Sequence, residues 1–155
     1  LLGMCTIHAE SVEAVISRLE SEPMNIPKPL IAMTNVIMIM NRTEVDGRPA
    51  RRVNNTSEVL EFDARENKIK TEPISIWNPK LDQFSPLNKS FLLERHMNKL
   101  GITEEDIRRE LFRRQTVLEW MSSQGIRRHT EVANVIREYY ANPERVFQKA
   151  RVGLK

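Results

Sequence analysis

Three strand-like segments follow one another between Asn35 and Trp77: NVIMIMNRTEV, ARRVNNTSEVLEFD and KIKTEPISIW. Between them stand DGRP and ARENK. The pair Asp46-Gly47 is a strong hairpin signal, because the tight turn needs positive φ, which glycine adopts without penalty. A second turn over Asp63 to Asn67 continues the run as a meander. WNPKLDQF adds a turn after Trp77 and room for a short fourth strand. The pattern predicts three or four antiparallel strands across about residues 35–85.

Different patterns flank the meander. Leu1 to Ile7 is continuously apolar, which reads as a strand buried on both faces. Ser11 can cap a helix running to about Glu20, with Val12, Val15, Ile16 and Leu19 on one stripe. The prolines of SEPMNIPKP end it, and LIAMT is a helical turn or the lead into a strand. After the meander the spacing turns helical. FLLERHMNKL stops at Gly101. Thr103 and Asp106 form a capping-box pattern ahead of a long helix that Gly125 ends. TEVANVIREYYA places Val132, Val135, Ile136, Tyr139 and Tyr140 on one face. Asn142 and Pro143 cap and start a last helix. The expectation is an α+β chain in three parts: an α/β segment over 1–34, an antiparallel β-meander over 35–87 and a helical bundle over 88–155.

Composition removes several classes of function. With 155 residues, 40% hydrophobic and 29% charged, the chain can bury a real core. Its longest apolar run after the first residues, VIMIM at 36–40, is far short of a membrane span. The single cysteine, Cys5, allows no internal disulfide, fits a reducing compartment and reads as a buried, inert thiol inside the first apolar run. His8, His96 and His129 share no ligand spacing, so no metal site is expected. None of the five glycines belongs to a phosphate-cradling loop. The net charge is +3, and the paired arginines 108/109 and 113/114 interleave with Glu104, Glu105 and Glu110. That spacing favours ion pairs on a solvated helix face over nucleic-acid binding, and a protein is the favoured partner.

His8 stands apart. It ends the first apolar run just before a helix, the sheet edge at which ligands bind in open α/β folds. On the residues alone, a core histidine donating to a backbone carbonyl is the slightly better reading.

The order of the segments changes that balance. CTIHAESVEAVISRLE, NIPKPLIAMTNVIMIMNR, RRVNNTSEVLEFD, VLEWM and VIREYYANPERVFQKA together resemble the C-terminal part of the type II/type IV secretion ATPase superfamily. The resemblance is strongest to its archaeal branch, the archaellum motor and archaeal pilus ATPases, and runs over essentially the whole chain. It implies a hexameric RecA-like enzyme that hydrolyses ATP with Mg2+ at subunit interfaces, peripheral to the cytoplasmic face of the membrane, with neighbouring subunits and a membrane platform protein as partners and no nucleic acid.

The resemblance also assigns residues. TIHAES…SRLE resembles the family's histidine box, which makes His8 the catalytic residue facing the γ-phosphate. Arg18 matches the box arginine, and Arg42 follows a strand where relatives carry Gln-Arg; here the pair is Asn41-Arg42. Glu58 matches a glutamate of an Arg-x-x-x-x-x-Glu-Val pattern. Arg18, Arg42 and Glu58 are the expected nucleotide contacts, with structural ion pairing an equal alternative for each. The phosphate loop and the Walker B acid would precede Leu1, so the chain reads as a C-terminal fragment with no metal ligands, no tightly held nucleotide and no turnover of its own. The competing readings are a stand-alone interaction or regulatory module and, behind it, a basic nucleic-acid-binding domain.

Overall fold

The computed structural model describes residues 3–154. The architecture is α+β. Helix α1 (Val12–Glu20) and the single turn α2 (Lys28–Ile31) precede strands β1 (Val36–Val45), β2 (Arg48–Asp63), β3 (Lys68–Asn78) and β4 (Gln83–Pro86). Four helices follow: α3 (Phe91–Leu100), α4 (Glu104–Ser123), α5 (His129–Ala141) and α6 (Pro143–Gly153). The described residues divide into two compact units, one ending at Arg95 and one beginning at His96.

In the first unit the strands form one antiparallel sheet in the order β1-β2-β3-β4, the meander expected from the turn chemistry. Asp46 and Gly47 both have positive φ (49° and 73°), the twist that joins β1 to β2. Asn67 (φ 50°) closes the β2–β3 turn, where Asp63 Oδ1 accepts the N–H groups of Arg65 and Glu66. Along β1 the side chains alternate: Ile37 and Ile39 are buried, Met38 and Met40 exposed. The buried set joins Val12 and Val15 of α1, Ile31 of α2, Val59 of β2 and Ile69 of β3 in one apolar core. Ser11 caps α1, its hydroxyl accepting from the Ala14 N–H at 3.1 Å.

The first apolar run departs from its expected strand. Leu1 and Leu2 lie outside the described residues, and Gly3–Ala9 are in neither helix nor strand. A strand needs a neighbour for its N–H and C=O groups, and Gly3–Ala9 pair with neither edge of the sheet. Met4 and Cys5 are accordingly exposed, which overturns the reading of Cys5 as a buried thiol. LIAMT resolves into the end of α2 followed by a short connection.

The second unit is built on α4, α5 and α6. Thr103 and Asp106 form the capping box: the Asp106 N–H donates to Thr103 Oγ1 at 3.2 Å, and the Thr103 N–H to Asp106 Oδ2 at 2.9 Å. Its core holds Val117, Trp120 and Met121 of α4, Val135 and Tyr139 of α5, and Val146 and Ala150 of α6. The α5 face is narrower than its spacing suggested. Val135 and Tyr139 are buried, but Ile136 and Tyr140 are 44% and 70% exposed, because the five residues cover too wide an arc for one contact stripe. The Arg114 guanidinium lies over the Tyr140 ring instead. Among the described residues no helix is long and apolar enough to cross a membrane.

Candidate functional site

His8 owes its position to its neighbours. Ile7 and Ala9 pack against the core of the first unit, while His8 between them is exposed. With both neighbours packed and His8 itself exposed, the imidazole is open to solvent. This excludes the core-histidine alternative. The backbone there is fixed from α1: Arg18, in the helix's last turn, donates from a guanidinium nitrogen to the His8 carbonyl. Arg18 also lies where a helix favours positive charge. One ion-forming side chain thus stabilises the end of α1 and holds the peptide that carries His8.

Arg42 and Glu58 lie elsewhere on the sheet. Glu58 pairs across the strands with Val36 and Glu72, whereas Arg42 stands opposite Arg51. Val36 and Arg42 are six residues apart on one strand, about 20 Å at ordinary strand rise. Arg42 and Arg51 are both exposed, two like charges face to face on a ladder where opposite charges are the stabilising arrangement. Glu58 is 1% exposed; its carboxylate accepts from the Ser90 hydroxyl and, at 3.1 Å, from the Leu92 N–H. The structure therefore joins His8 with Arg18 and keeps Arg42 and Glu58 separate from each other.

Arg52, Trp77 and Asp82 form a further polar cluster on the sheet. Arg52 Nε and Nη2 each donate to Asp82 at 2.6 Å, and the Trp77 indole N–H donates to the same carboxylate at 2.9 Å. These bonds, Arg52 first and Trp77 second, lower the Asp82 pKa to about 2. Asp82 is held by an Asn78 turn, whose Oδ1 accepts the N–H groups of Lys80 and Leu81, and itself has φ 48°. An aspartate directly after such a turn, where the left-handed conformation suits it, was the available signal. Ser90, directly before the periodic run of α3, was the signal for the Glu58 contact.

Comparison with known proteins gives a family model for the second half of the chain and relatives that align with most of it. Residues 80–153 match the family model described as PilB3-like, C-terminal. The match relates this part to the C-terminal region of a PilB-type, type IV pilus ATPase. The chain is also 40% identical over 117 residues to uncharacterized protein MJ1287 of Methanocaldococcus jannaschii, covering 76% of this chain and 43% of that protein. From the same archaeon, uncharacterized protein MJ0781 is 27% identical over 146 residues, or 94% of this chain and 20% of its own length. Uncharacterized protein MJ0900 is 28% identical over 141 residues, or 88% and 26%. The chain spans less than half the length of each of these relatives.

Proposed function

We propose that this chain is the C-terminal part of a hexameric motor ATPase that powers type II secretion or the assembly of a type IV pilus or archaellum. The observation that carries the reading is the match of residues 80–153 to the PilB3-like C-terminal family. The 40% identity to an uncharacterized archaeal protein, of which this chain covers 43%, agrees with the chain being part of a longer protein.

In this reading His8 faces the terminal phosphate of ATP. Its exposed imidazole, between the packed Ile7 and Ala9, can hydrogen-bond a phosphate oxygen or a water. Arg18 is the residue that positions it, through the His8 carbonyl. Arg42, exposed on β1, is a candidate for an anionic group, and Glu58 serves the fold from inside. Imidazole and guanidinium suit phosphate oxygens. Mg2+ does not fit this set: among the described residues no group of three or more His, Cys, Asp or Glu could hold a metal ion. The reading assigns ATP and Mg2+ to the whole protein, together with the neighbouring subunits and the membrane platform at the cytoplasmic face. No nucleic-acid partner is proposed.

The test is ATP turnover by the purified 155-residue chain and by the longest protein its gene encodes. The reading expects turnover from the longer protein alone. Turnover by the chain itself would refute the expectation that this part is inactive alone, and a gene encoding no phosphate loop ahead of Leu1 would replace the motor reading with a stand-alone interaction module.

A further inference from the structure

Glu58 lies within β2 with strand partners on both sides, and is almost wholly buried. A buried carboxylate persists only where its oxygens are met, since taking the charge from water costs several kcal/mol. Both oxygens are met by the start of α3: Ser90 Oγ donates to Oε1, and the Leu92 N–H to Oε2. Ser90 Oγ in turn accepts the Leu93 N–H at 3.1 Å, and its carbonyl accepts the Glu94 N–H at 3.1 Å. The first turn of α3 is therefore organised by one carboxylate of the sheet acting through one serine. The negative charge also meets the positive end of the helix.

Apolar packing adds only part of this hold, since Leu92 and Leu93 are only partly buried. None of the residues of α3 is buried, and Phe91 is 50% exposed. The chain before the helix has two further polar ties to β3: the Leu87 N–H to the Ile74 carbonyl and Asn88 Nδ2 to the Pro73 carbonyl, both at 3.0 Å. α3 is also the helix within which the first compact unit ends, at Arg95, and the second begins.

We infer that Glu58 is a latch: its carboxylate pins the first turn of α3 to the sheet, and its release frees that turn while the sheet stays folded. A segment held by a few directional bonds opens locally at lower cost than the core it leaves. This inference does not depend on nucleotide chemistry.

Trypsin reads the latch directly, because Lys89 and Arg95 flank that turn. In the 155-residue chain Ser90→Ala removes the hydroxyl without touching the sheet, and Glu58→Gln removes the charge. Both variants are expected to be cut after Lys89 and Arg95 roughly tenfold faster than the parent, the effect of losing one charge-assisted hydrogen bond from a local opening equilibrium. Amide hydrogen exchange is expected to rise at residues 92–95 and to hold steady in β1 and α1. Unchanged cleavage in Ser90→Ala would overturn the inference. So would a parallel rise in exchange throughout the sheet in Glu58→Gln with none confined to α3, which would make Glu58 a general core residue.

Discussion

Asp82 receives both ends of the Arg52 guanidinium fork, each nitrogen 2.6 Å from its own carboxylate oxygen. The pair ties β2 to the β3–β4 turn, and the Trp77 N–H shares one of the oxygens. Because the folded pKa of Asp82 lies near 2, below its value in an unfolded chain, the stabilisation is present above the unfolded value and is lost as pH falls through about 2. The first unit should lose stability between about pH 4 and 2, and Asp82→Asn should flatten that slope while lowering stability at neutral pH. Denaturant melts across this range, followed by tryptophan emission, check both. A slope unchanged in Asp82→Asn would assign it to other carboxylates.

Arg42 and Arg51 face each other across β1 and β2. Replacing a like-charge pair by an opposite one gains about 0.2–1 kcal/mol on an exposed ladder. Arg51→Glu should therefore stabilise the chain by about that amount at low salt, with the gain shrinking as salt rises. A denaturation series at two ionic strengths measures it. In the full-length protein the same change should weaken nucleotide affinity if Arg42 contacts an anion, and leave affinity unaltered if the arginine pair is only surface.

Gly153 closes α6 against Trp120. A Cβ placed there would stand 2.5 Å from Trp120 Nε1 and 2.7 Å from Cδ1, and Trp120 is itself buried. Alanine would gain about 0.5–1 kcal/mol of helix propensity, but overpacking a core costs about 1–3 kcal/mol. The clash outweighs the propensity, so Gly153→Ala should destabilise the second unit by about 1 kcal/mol. Thermal unfolding followed by Trp120 emission tests it; an unchanged or raised midpoint would mean that the end of α6 moves aside.

Tyr139 donates its hydroxyl to Glu110 Oε2 at 3.0 Å, while Glu110 Oε1 accepts from Arg114 at 2.8 Å. Tyr139→Phe removes a partly buried bond to a charged acceptor and should cost about 1–2 kcal/mol. Burial, aided by Glu110, raises the tyrosine's pKa, so its ultraviolet titration should run above that of an exposed tyrosine. A titration at the ordinary value in the folded chain would contradict the contact.

The parts of the fold legible in the sequence were those governed by neighbouring residues. The Asp46-Gly47 turn, the Ser11 cap, the Thr103–Asp106 box and the Asn142 cap each act within a few positions, and each forms. The apolar run before His8 could not be read that way, because whether it forms a strand depends on a paired neighbour. Arg52 and Asp82 are thirty residues apart, and Glu58 and Ser90 thirty-two, so a local pattern could mark Asp82 and Ser90 but not the distant side chain that each one meets. His8 stood out by its place between an apolar run and a helix, and Arg18 by resemblance alone; their link through a backbone carbonyl, not through two side chains, was beyond any reading of residue types.

The most direct measurement is single-turnover ATP hydrolysis by the full-length protein encoded with this chain, comparing the parent with His8→Ala at matched oligomeric state. With His8 facing the terminal phosphate, the chemical step should slow by about a hundredfold or more, the contribution of one positioned group at a phosphoryl-transfer site. An unaltered rate in His8→Ala would contradict the account.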